Sequence, residues 1–308
     1  MKQYINKIIQ GDCLKVMKEI DNKTINLIYL DPPFNIGIFV KKKDDEFISW
    51  IKKVVKECHR VLKDTGSLYL HCDWHANAHI RIMLDKIFGP RNFRNGIVWK
   101  RTNSVKSQTV GFGKQYDVIY FYSKSNKITF NIIKKKPDDK YLSSFRYDDG
   151  DGKGKYQTVA LDNKTTVGGF ATMKEYEWKG VKSRWIYSQK TMGKWWEEGK
   201  IYTTKNGKYR LKHYLLEAKG PPISDLWVEN DVAPLQGGSS EKLGYPTQKP
   251  EKLLERIIRA SSNEGDVVLD PMCGCGTTLA VAHKLNRKWI GIDSNKKAIE
   301  LTKERLIK

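Results

Sequence analysis

Residues 26–34 read NLIYLDPPF, an apolar run that stops at a carboxylate, two prolines and an aromatic ring. The apolar run is typical of a strand buried on both faces of a parallel sheet, which predicts Asp31 at the carboxyl end of that strand. Pro32 and Pro33 have no N–H donor and a fixed φ, so the strand must end there in a stiff turn. The turn therefore presents hydrogen-bond acceptors without competing donors.

An acceptor site beside an aromatic face suits a flat ring that carries an exocyclic amino group, as adenine and cytosine do. The ring would stack on Phe34 while its amino group donates to Asp31 and to the carbonyl of Pro32. Both bonds draw the nitrogen lone pair out of conjugation, so that the nitrogen can attack an electrophile. The alternative is an ordinary turn with a strand-end aspartate, because four-residue motifs recur by chance. An electrophile and a nucleic-acid surface elsewhere in the chain would decide between the two.

The charge of the chain predicts a polyanionic partner. Its 308 residues carry a net charge of +21, with a pI near 9.6. Residues 94–220 hold 27 Lys and Arg against 12 Asp and Glu, and 21 of the 34 aromatic residues. Basic residues interleaved with aromatic rings suit phosphate contact combined with base stacking. A solvated lysine-rich surface is the other interpretation of the same charges.

The cysteines and the hydropathy predict a reducing cytoplasm and no membrane. The five cysteines are scattered and odd in number, and we find neither a signal peptide nor a long apolar span. No proline is followed by cysteine, so the nucleophile used in carbon-5 cytosine methylation is absent.

Hydrophobic periodicity predicts an α/β chain that is interrupted by an insertion. Apolar residues at helical spacing over 47–62 predict one of its helices. Residues 128–244 break the rhythm with Asp, Gly and Lys turns and with tryptophan pairs, which predicts an inserted recognition region. The predicted strands are 5–10, 26–30, 67–71, 93–99, 116–122, 267–270 and 289–293.

A second motif lies near the end of the chain. One strand ends at Asp270, a turn of sequence PMCGCG follows at 271–276, a helix begins at Thr277 and the next strand ends at Asp293. This half-fold is typical of sites for ribose-containing cofactors, because a carboxylate such as Asp293 can accept hydrogen bonds from both ribose hydroxyls. The turn lacks the third glycine of the dinucleotide pattern, which disfavours a nicotinamide enzyme.

Taken together, the motifs resemble those of amino-group DNA methyltransferases of the circularly permuted beta class, which use S-adenosylmethionine. The shared motifs are DPPF at 31–34, YPTQKP at 245–250 and DPMCGCGTT at 270–278, and they occur in the family's order. One departure is Met272, where the family commonly carries an aromatic residue. The resemblance implies a Rossmann-like, doubly wound, mostly parallel seven-stranded sheet. It also implies a catalytic domain over 1–127 and 245–308, with target recognition over 128–244.

The resemblance implies a role for each matching residue. The catalytic residues would be Asp31, Pro32, Pro33 and Phe34. Asp12, next to Cys13, would bind the adenine amino group of S-adenosylmethionine, and Asp293 its ribose hydroxyls. The methionine end would be bound by Asp270, Gly274 and Gly276, in a turn that also includes Pro271, Cys273 and Thr277. Thr247, Gln248 and Lys249 would close that pocket.

Two other motifs suggest metal sites, and we give them little weight. His71, His75 and His79 have helical spacing, but His71 is best placed on a strand and no fourth zinc ligand is evident. Asp138 followed by Glu177 and Lys179 resembles a nuclease pattern, but such short matches are frequent. We therefore predict no metal.

The product predicted from the resemblance is N6-methyladenine in double-stranded DNA, made on a base that has left the helix stack. The argument is that Asp31 heads a motif in which the cytosine-N4 enzymes of the family more often carry Ser. N4-methylcytosine remains the alternative product, and a non-catalytic DNA-binding protein the alternative class. RNA or a protein amide as substrate, a homodimer and a cognate restriction endonuclease also stay open.

Overall fold

A computed structural model of the protein describes residues 2–33, 44–104, 111–162 and 174–307. The chain divides into two compact units. The main unit consists of Met1–Ile133 and Ser224–Lys308, and the inserted unit of Lys134–Ile223. Within the described residues, no helix has both the length and the apolar character that crossing a membrane requires.

The first part of the main unit alternates strands and helices. Each residue of the second strand, Ile25–Leu30, is buried, as expected for a strand covered on both faces. Its elements are β1 (Lys7–Gln10), α1 (Cys13–Lys18), β2 (Ile25–Leu30), α2 (Asp44–Val61), β3 (Leu62–Cys72), α3 (Asn77–Phe88), β4 (Phe93–Lys100) and β5 (Tyr116–Ser123).

The inserted unit has its own small core, which is rich in aromatic residues. A three-stranded antiparallel sheet and a separate hairpin supply its strands. Leu161, Trp178, Trp185, Met192 and Ile201 are buried together. Its elements are α4 (Asp139–Leu142), β6 (Tyr156–Ala160), β7 (Lys174–Trp178), β8 (Val181–Trp185), α5 (Gln189–Glu197), β9 (Ile201–Thr203) and β10 (Tyr209–Tyr214).

The chain then returns to the main unit and completes its sheet. The remaining elements are β11 (Leu226–Trp227), α6 (Glu251–Ser261), β12 (Val267–Asp270), α7 (Thr277–Lys284), β13 (Lys288–Asp293) and α8 (Lys296–Ile307). The strand order is β1-β13-β12-β2-β3-β5-β4-β11, and the pairs from β1 to β3 are all parallel. The first strand thus lies beside the last, as the permuted order requires.

The predicted fold class is confirmed, but the number of strands is not seven. The described residues form an eight-stranded main sheet, because Leu226 and Trp227 pair in parallel with Val98 and Trp99 at its edge. Two residues are too few for a periodic pattern, so β11 left no signal in the sequence.

The compact inserted unit is narrower than the region 128–244 predicted for target recognition. Residues 224–244 belong to the main unit, because β11 pairs with β4 and the indole of Trp99 donates to the carbonyl of Val232 at 2.8 Å. Asn131 also belongs there, since its N–H donates to the carbonyl of Ala260 at 2.7 Å. The compact inserted unit therefore begins at Lys134 and ends at Ile223.

Gly291 provides a test of the packing between β13 and α7. A Cβ at this position would lie 2.2 Å from Leu279 Cδ1 and 3.2 Å from Cys273 Sγ. We expect Gly291→Ala to lower the free energy of unfolding by about 1–3 kcal/mol or more, as overpacked cores do. Gly237→Ala is the matched control, because a Cβ there meets nothing within 4 Å. Equal urea midpoints for the two variants would contradict this packing.

Candidate active site

Five carboxylates lie at one edge of the main sheet. The parallel strands β1, β13, β12, β2 and β3 run in the same direction, so their carboxyl ends meet there. In strand order, the carboxylates that end or follow these strands are Asp12, Asp293, Asp270, Asp31 and Asp73. The connections change direction between β12 and β2, and such a switch point is where open α/β sheets bind ligands.

The Asp31 carboxylate has one oxygen engaged and one without a partner. Asp31 follows the buried strand β2, and its side chain is 17% exposed. Its Oδ2 lies 2.5 Å from Nζ of Lys249. Its Oδ1 is buried and accepts no hydrogen bond from any described residue. Since buried acceptors are normally satisfied, this oxygen is a ready acceptor for a ligand. Phe34, predicted to stack on that ligand, lies outside the described residues.

Lys249, predicted to close the cofactor pocket, contacts the predicted catalytic residue Asp31 as well as the glycine-rich turn. Its side chain is 9% exposed, and Nζ also lies 3.4 Å from the carbonyl of Thr247. Its own carbonyl accepts from the hydroxyl of Thr277 at 3.2 Å. The pairing with Asp31 could not be predicted from sequence, because the two residues are 218 positions apart.

The glycine-rich turn after β12 is shaped by backbone conformation and close approach. Gly274 and Gly276 have φ values of 51° and 74°. A Cβ on Gly274 would lie 3.1 Å from the ring of Tyr245, and one on Gly276 would lie 2.3 Å from Thr302 Cγ2. The turn therefore excludes side chains at both positions, and Tyr245, the first residue of the YPTQKP motif, contacts a turn for which the sequence had given it no role.

Asp270 fixes the start of this turn. Its carboxylate accepts from the N–H of Met272 at 3.1 Å and from the hydroxyl of Thr278 at 2.6 Å. Burial, with smaller contributions from the nearby charges of Asp31 and Asp293, raises the pKa of Asp270 to about 7. The opposing hydrogen bonds do not offset the cost of removing the charge from water.

Asp293 and Asp12 lie at the carboxyl ends of the neighbouring strands β13 and β1, and backbone N–H groups donate hydrogen bonds to both carboxylates. Asp293 accepts from the N–H groups of Gly274 and Asn295, both at 2.8 Å. Asp12 caps α1 by accepting from the N–H of Lys15 at 2.9 Å. A carboxylate has about four lone-pair positions, so both residues keep acceptor capacity for hydroxyl or amino groups.

The other predicted cofactor residues have mainly structural contacts. The amide of Gln248 accepts from the N–H of Leu243 and donates to the carbonyl of Glu241, so it braces its own segment. Cys13 and Cys273 are buried free thiols. Burial, as the main cause, raises the pKa of Cys13 to about 12 and that of Cys273 well above its usual range. Both thiols stay protonated at neutral pH, which disfavours them as nucleophiles.

A buried hydrogen-bond chain lies behind Asp31. The hydroxyl of Tyr29 lies 2.9 Å from Nδ1 of His71, whose Nε2 lies 3.1 Å from Asp117 Oδ2. Arg101 Nε lies 3.4 Å from the other oxygen of Asp117. The chain ties β2, β3 and β5 together, and Tyr29 shares a face of β2 with Asp31. No signal in the sequence pointed to it, because Tyr29 and His71 are 42 positions apart and His71 and Asp117 are 46 apart.

These contacts also bear on the metal motifs. His71 lies on β3 as predicted, and its two ring nitrogens face Tyr29 and Asp117. Asp138 caps α4 by accepting from the N–H of Tyr141 at 2.7 Å. Over the described ranges, no group of three or more His, Cys, Asp or Glu side chains is arranged to hold a metal ion.

The pKa of Asp270 predicts a pH dependence of stability. The pKa is higher in the folded protein than the ordinary 3.8, so the folded state binds the proton more tightly. The free energy of unfolding should therefore contain a term that falls by up to ~4 kcal/mol as pH rises from about 4 to about 7. In Asp270→Asn this term is lost, and unfolding in urea should be less pH-dependent. Glu300→Gln, which alters an exposed acid, should behave as wild type. The same slope in all three proteins would contradict the burial argument.

Comparison with known sequences gives the chain its family. A sequence profile described as DNA methylase, of the N6/N4 type, matches residues 25–304. The DNA adenine methyltransferase YhdJ of Escherichia coli K12 is 32% identical over 97% of this chain and 82% of its own length. The type II methyltransferase M.EcaI of Enterobacter cloacae is 32% identical over 90% of this chain. The chain spans 63% of M.EcaI and 57% of M.BamHI from Bacillus amyloliquefaciens.

Solved structures share the fold. The cytosine-N4-specific PvuII DNA methyltransferase matches 98% of this chain and 86% of its own, with a TM-score of 0.56 and 16% identity. A putative DNA modification methylase from Thermus thermophilus, complexed with S-adenosyl-L-methionine, matches 97% of this chain and 92% of its own, with a TM-score of 0.54 and 17% identity. From its profile match and its relatives, the chain belongs to the N6/N4 family of DNA methylases.

Proposed function

We propose that this protein transfers a methyl group from S-adenosylmethionine to the exocyclic N6 of adenine in double-stranded DNA. The observation that carries the proposal is the buried Oδ1 of Asp31 at the switch point of the sheet, which has no hydrogen-bond partner among the described residues. An amino group is the complementary donor, and the carbonyl of Pro32 is a second acceptor in the same turn. The glycine-rich turn after Asp270, on the neighbouring strand, is the proposed place of the methyl donor.

The residues along the sheet edge fit S-adenosylmethionine. Asp293 and Asp12 keep acceptor positions for the ribose hydroxyls and the adenine amino group. The positive φ values of Gly274 and Gly276 shape the turn proposed to hold the methionine part, and Asp270 is the nearby carboxylate. S-Adenosylmethionine supplies a methyl group on a positively charged sulfur, and the row of carboxylates favours that charge.

The protein's own part in the reaction is to bind and orient the base. Asp31 Oδ1 and the Pro32 carbonyl accept the two amino hydrogens, so the nitrogen lone pair turns out of the ring plane toward the methyl group. S-Adenosylmethionine would supply the methyl group, which would pass from its sulfur to this nitrogen. The Asp31 carboxylate would be placed to accept the proton that the nitrogen gives up. The base must leave the duplex to reach this buried turn, at a cost of a few kcal/mol.

Adenine is favoured over cytosine by the relatives. YhdJ, named a DNA adenine methyltransferase, is 32% identical to this chain, whereas the cytosine-N4-specific PvuII enzyme is 16% identical. Asp31 at the head of the motif favours adenine for the same reason, since the cytosine enzymes of the family more often carry Ser there.

The charge supports DNA as the substrate. The net charge is +21, and the inserted unit Lys134–Ile223 is the proposed target-recognition domain. In that unit, Nζ of Lys179 lies 4.4 Å from the ring centroid of Trp196, which is 39% exposed. A cation beside an exposed indole suits phosphate contact and base stacking.

The cellular setting is part of the proposal. The type II names of the relatives support a restriction-modification system, with a cognate endonuclease as partner. A second copy of the chain is a further partner to test. The cytoplasm is the proposed compartment, because all five cysteines are free thiols.

Methyl transfer with labelled cofactor tests the proposal directly. Wild-type protein with labelled S-adenosylmethionine should place label in N6-methyladenine of unmodified genomic DNA, as read by mass spectrometry of nucleosides. Asp31→Ala should lower the rate by ~10²-fold or more, because it removes a charged acceptor that acts on the reacting nitrogen. Affinity for S-adenosylmethionine should stay near wild type, since Asp31 is assigned to the base.

The outcomes separate the candidate functions. Label only in N4-methylcytosine would keep the mechanism and correct the base. DNA binding without label in any nucleoside would favour the non-catalytic DNA-binding protein. Wild-type turnover in Asp31→Ala would refute the assignment of the acceptor.

Asp293 tests the cofactor site independently of the base. We expect Asp293→Ala to weaken binding of S-adenosylmethionine by about 1.5–3 kcal/mol, the usual contribution of hydrogen bonds to a charged group. Isothermal calorimetry measures this, with Glu300→Gln as the control for an exposed acid. An unchanged dissociation constant would place the ribose elsewhere.

A further inference from the structure

We propose that Lys249 is a positioning residue for methyl transfer, holding one oxygen of the Asp31 carboxylate so that the other, Oδ1, faces the incoming amine. The inference rests on the proposed function and adds a residue to its machinery. Its basis is a set of contacts that join the Asp31 turn to the glycine-rich turn through Lys249.

The first contact fixes the carboxylate. Nζ of Lys249 lies 2.5 Å from Asp31 Oδ2, and the two side chains are 9% and 17% exposed. Burying a carboxylate without a cation is costly, and the ion pair with Lys249 offsets part of that cost. Since the ammonium takes one oxygen, the other remains buried and without a described donor. The Asp31 carboxylate is thus preorganised before the substrate binds.

The second contact links this pair to the cofactor side. The carbonyl of Lys249 accepts from the hydroxyl of Thr277, which directly follows Gly276 in the glycine-rich turn. Lys249 therefore contacts the acceptor of the amine with its side chain and the proposed methyl-donor site with its backbone. Lys249 is therefore a second link between the two turns, in addition to the pairing of β12 with β2.

The local backbone shows that this placement is enforced. Thr247 has a φ of 61°, in the left-handed region that a β-branched residue rarely adopts. Gln248 is held on both sides by the segment Glu241–Leu243. Pro250 then leads into α6, which begins at Glu251. Strain of this kind persists where surrounding contacts over-determine the conformation, and it is common at functional sites.

A purely structural ion pair would have different consequences from a positioning residue. A structural pair predicts that loss of the cation lowers stability, cofactor affinity and turnover together. A positioning residue predicts a lower kcat with nearly unchanged binding of S-adenosylmethionine and DNA. The charge should also matter more than the shape of the side chain.

The experiment compares Lys249→Met, Lys249→Arg and Lys249→Ala in the full chain. We expect kcat for DNA methylation to fall by about ten- to a hundredfold in Lys249→Met, because small misplacements of reacting groups have effects of that size. The dissociation constant for S-adenosylmethionine should stay within about twofold of wild type, which marks a loss confined to the reaction step. Lys249→Arg should recover part of kcat, and propylammonium chloride should partly restore Lys249→Ala.

Lys252→Met is the matched control, because Lys252 is an exposed lysine on α6 that pairs with Glu255. Wild-type kcat in Lys249→Met would overturn the proposal. So would equal losses in the Met and Arg variants, with no rescue by propylammonium and a parallel loss of cofactor affinity. The wild-type protein is assayed first. If it methylates no DNA, the proposed function itself fails, and this failure is distinct from a failure of the Lys249 proposal.

Discussion

Val268 pairs with Leu27 and Leu269 pairs with Ile28, and this short parallel ladder between β12 and β2 sets the position of the whole site. It places Asp270 and Asp31 at the same end of the parallel strands, although the two residues are 239 positions apart in the sequence. One strand leads into the glycine-rich turn and the other into the two prolines. A methyl donor on the first and an amine on the second would then meet where the sheet changes direction.

The electrostatics of the molecule have two opposed parts. The chain as a whole is strongly basic, which suits the DNA backbone, while the strand ends form a row of carboxylates. The surroundings of the carboxylates differ: burial raises the pKa of Asp270 in spite of its two hydrogen-bond donors, whereas Asp31 is paired with an ammonium. In the proposed function, these carboxylates would favour the sulfonium cation of the cofactor and disfavour DNA phosphates at the same place. Binding specificity and chemistry are assigned to different parts of the chain.

The sequence predicted the parts of this account that depend on local patterns. Strand β2, the Asp-Pro-Pro turn, the glycine-rich turn and the aspartates at the strand ends each have a signal within a few residues. The fold class followed from the order of those signals. The two-residue strand β11 and the edges of the inserted unit did not, because they are fixed by contacts such as Trp99 with Val232 that leave no periodic pattern.

The same limit applies to the site. Asp31 could be named from its turn, but its ion pair with Lys249 and the chain from Tyr29 to His71 and Asp117 arise only when distant segments come together. Thr247, Gln248 and Lys249 illustrate this limit, because the sequence predicted one shared role for them, closing the cofactor pocket, whereas their contacts in the structure differ. One of the three contacts the predicted catalytic carboxylate, one braces its own segment, and one takes a left-handed backbone conformation.

The central claim is that Asp31 receives the amino group of the target base beside the methyl donor. The most direct measurement is a crystal structure with S-adenosylhomocysteine and a duplex that contains the methylated site, once that site has been mapped. The account predicts the exocyclic nitrogen of the extruded base within about 3 Å of Asp31 Oδ1, the ordinary length of such a hydrogen bond. Lys249 should remain on Oδ2. A base whose amino group contacts other acceptors, with Asp31 still unpartnered, would contradict it.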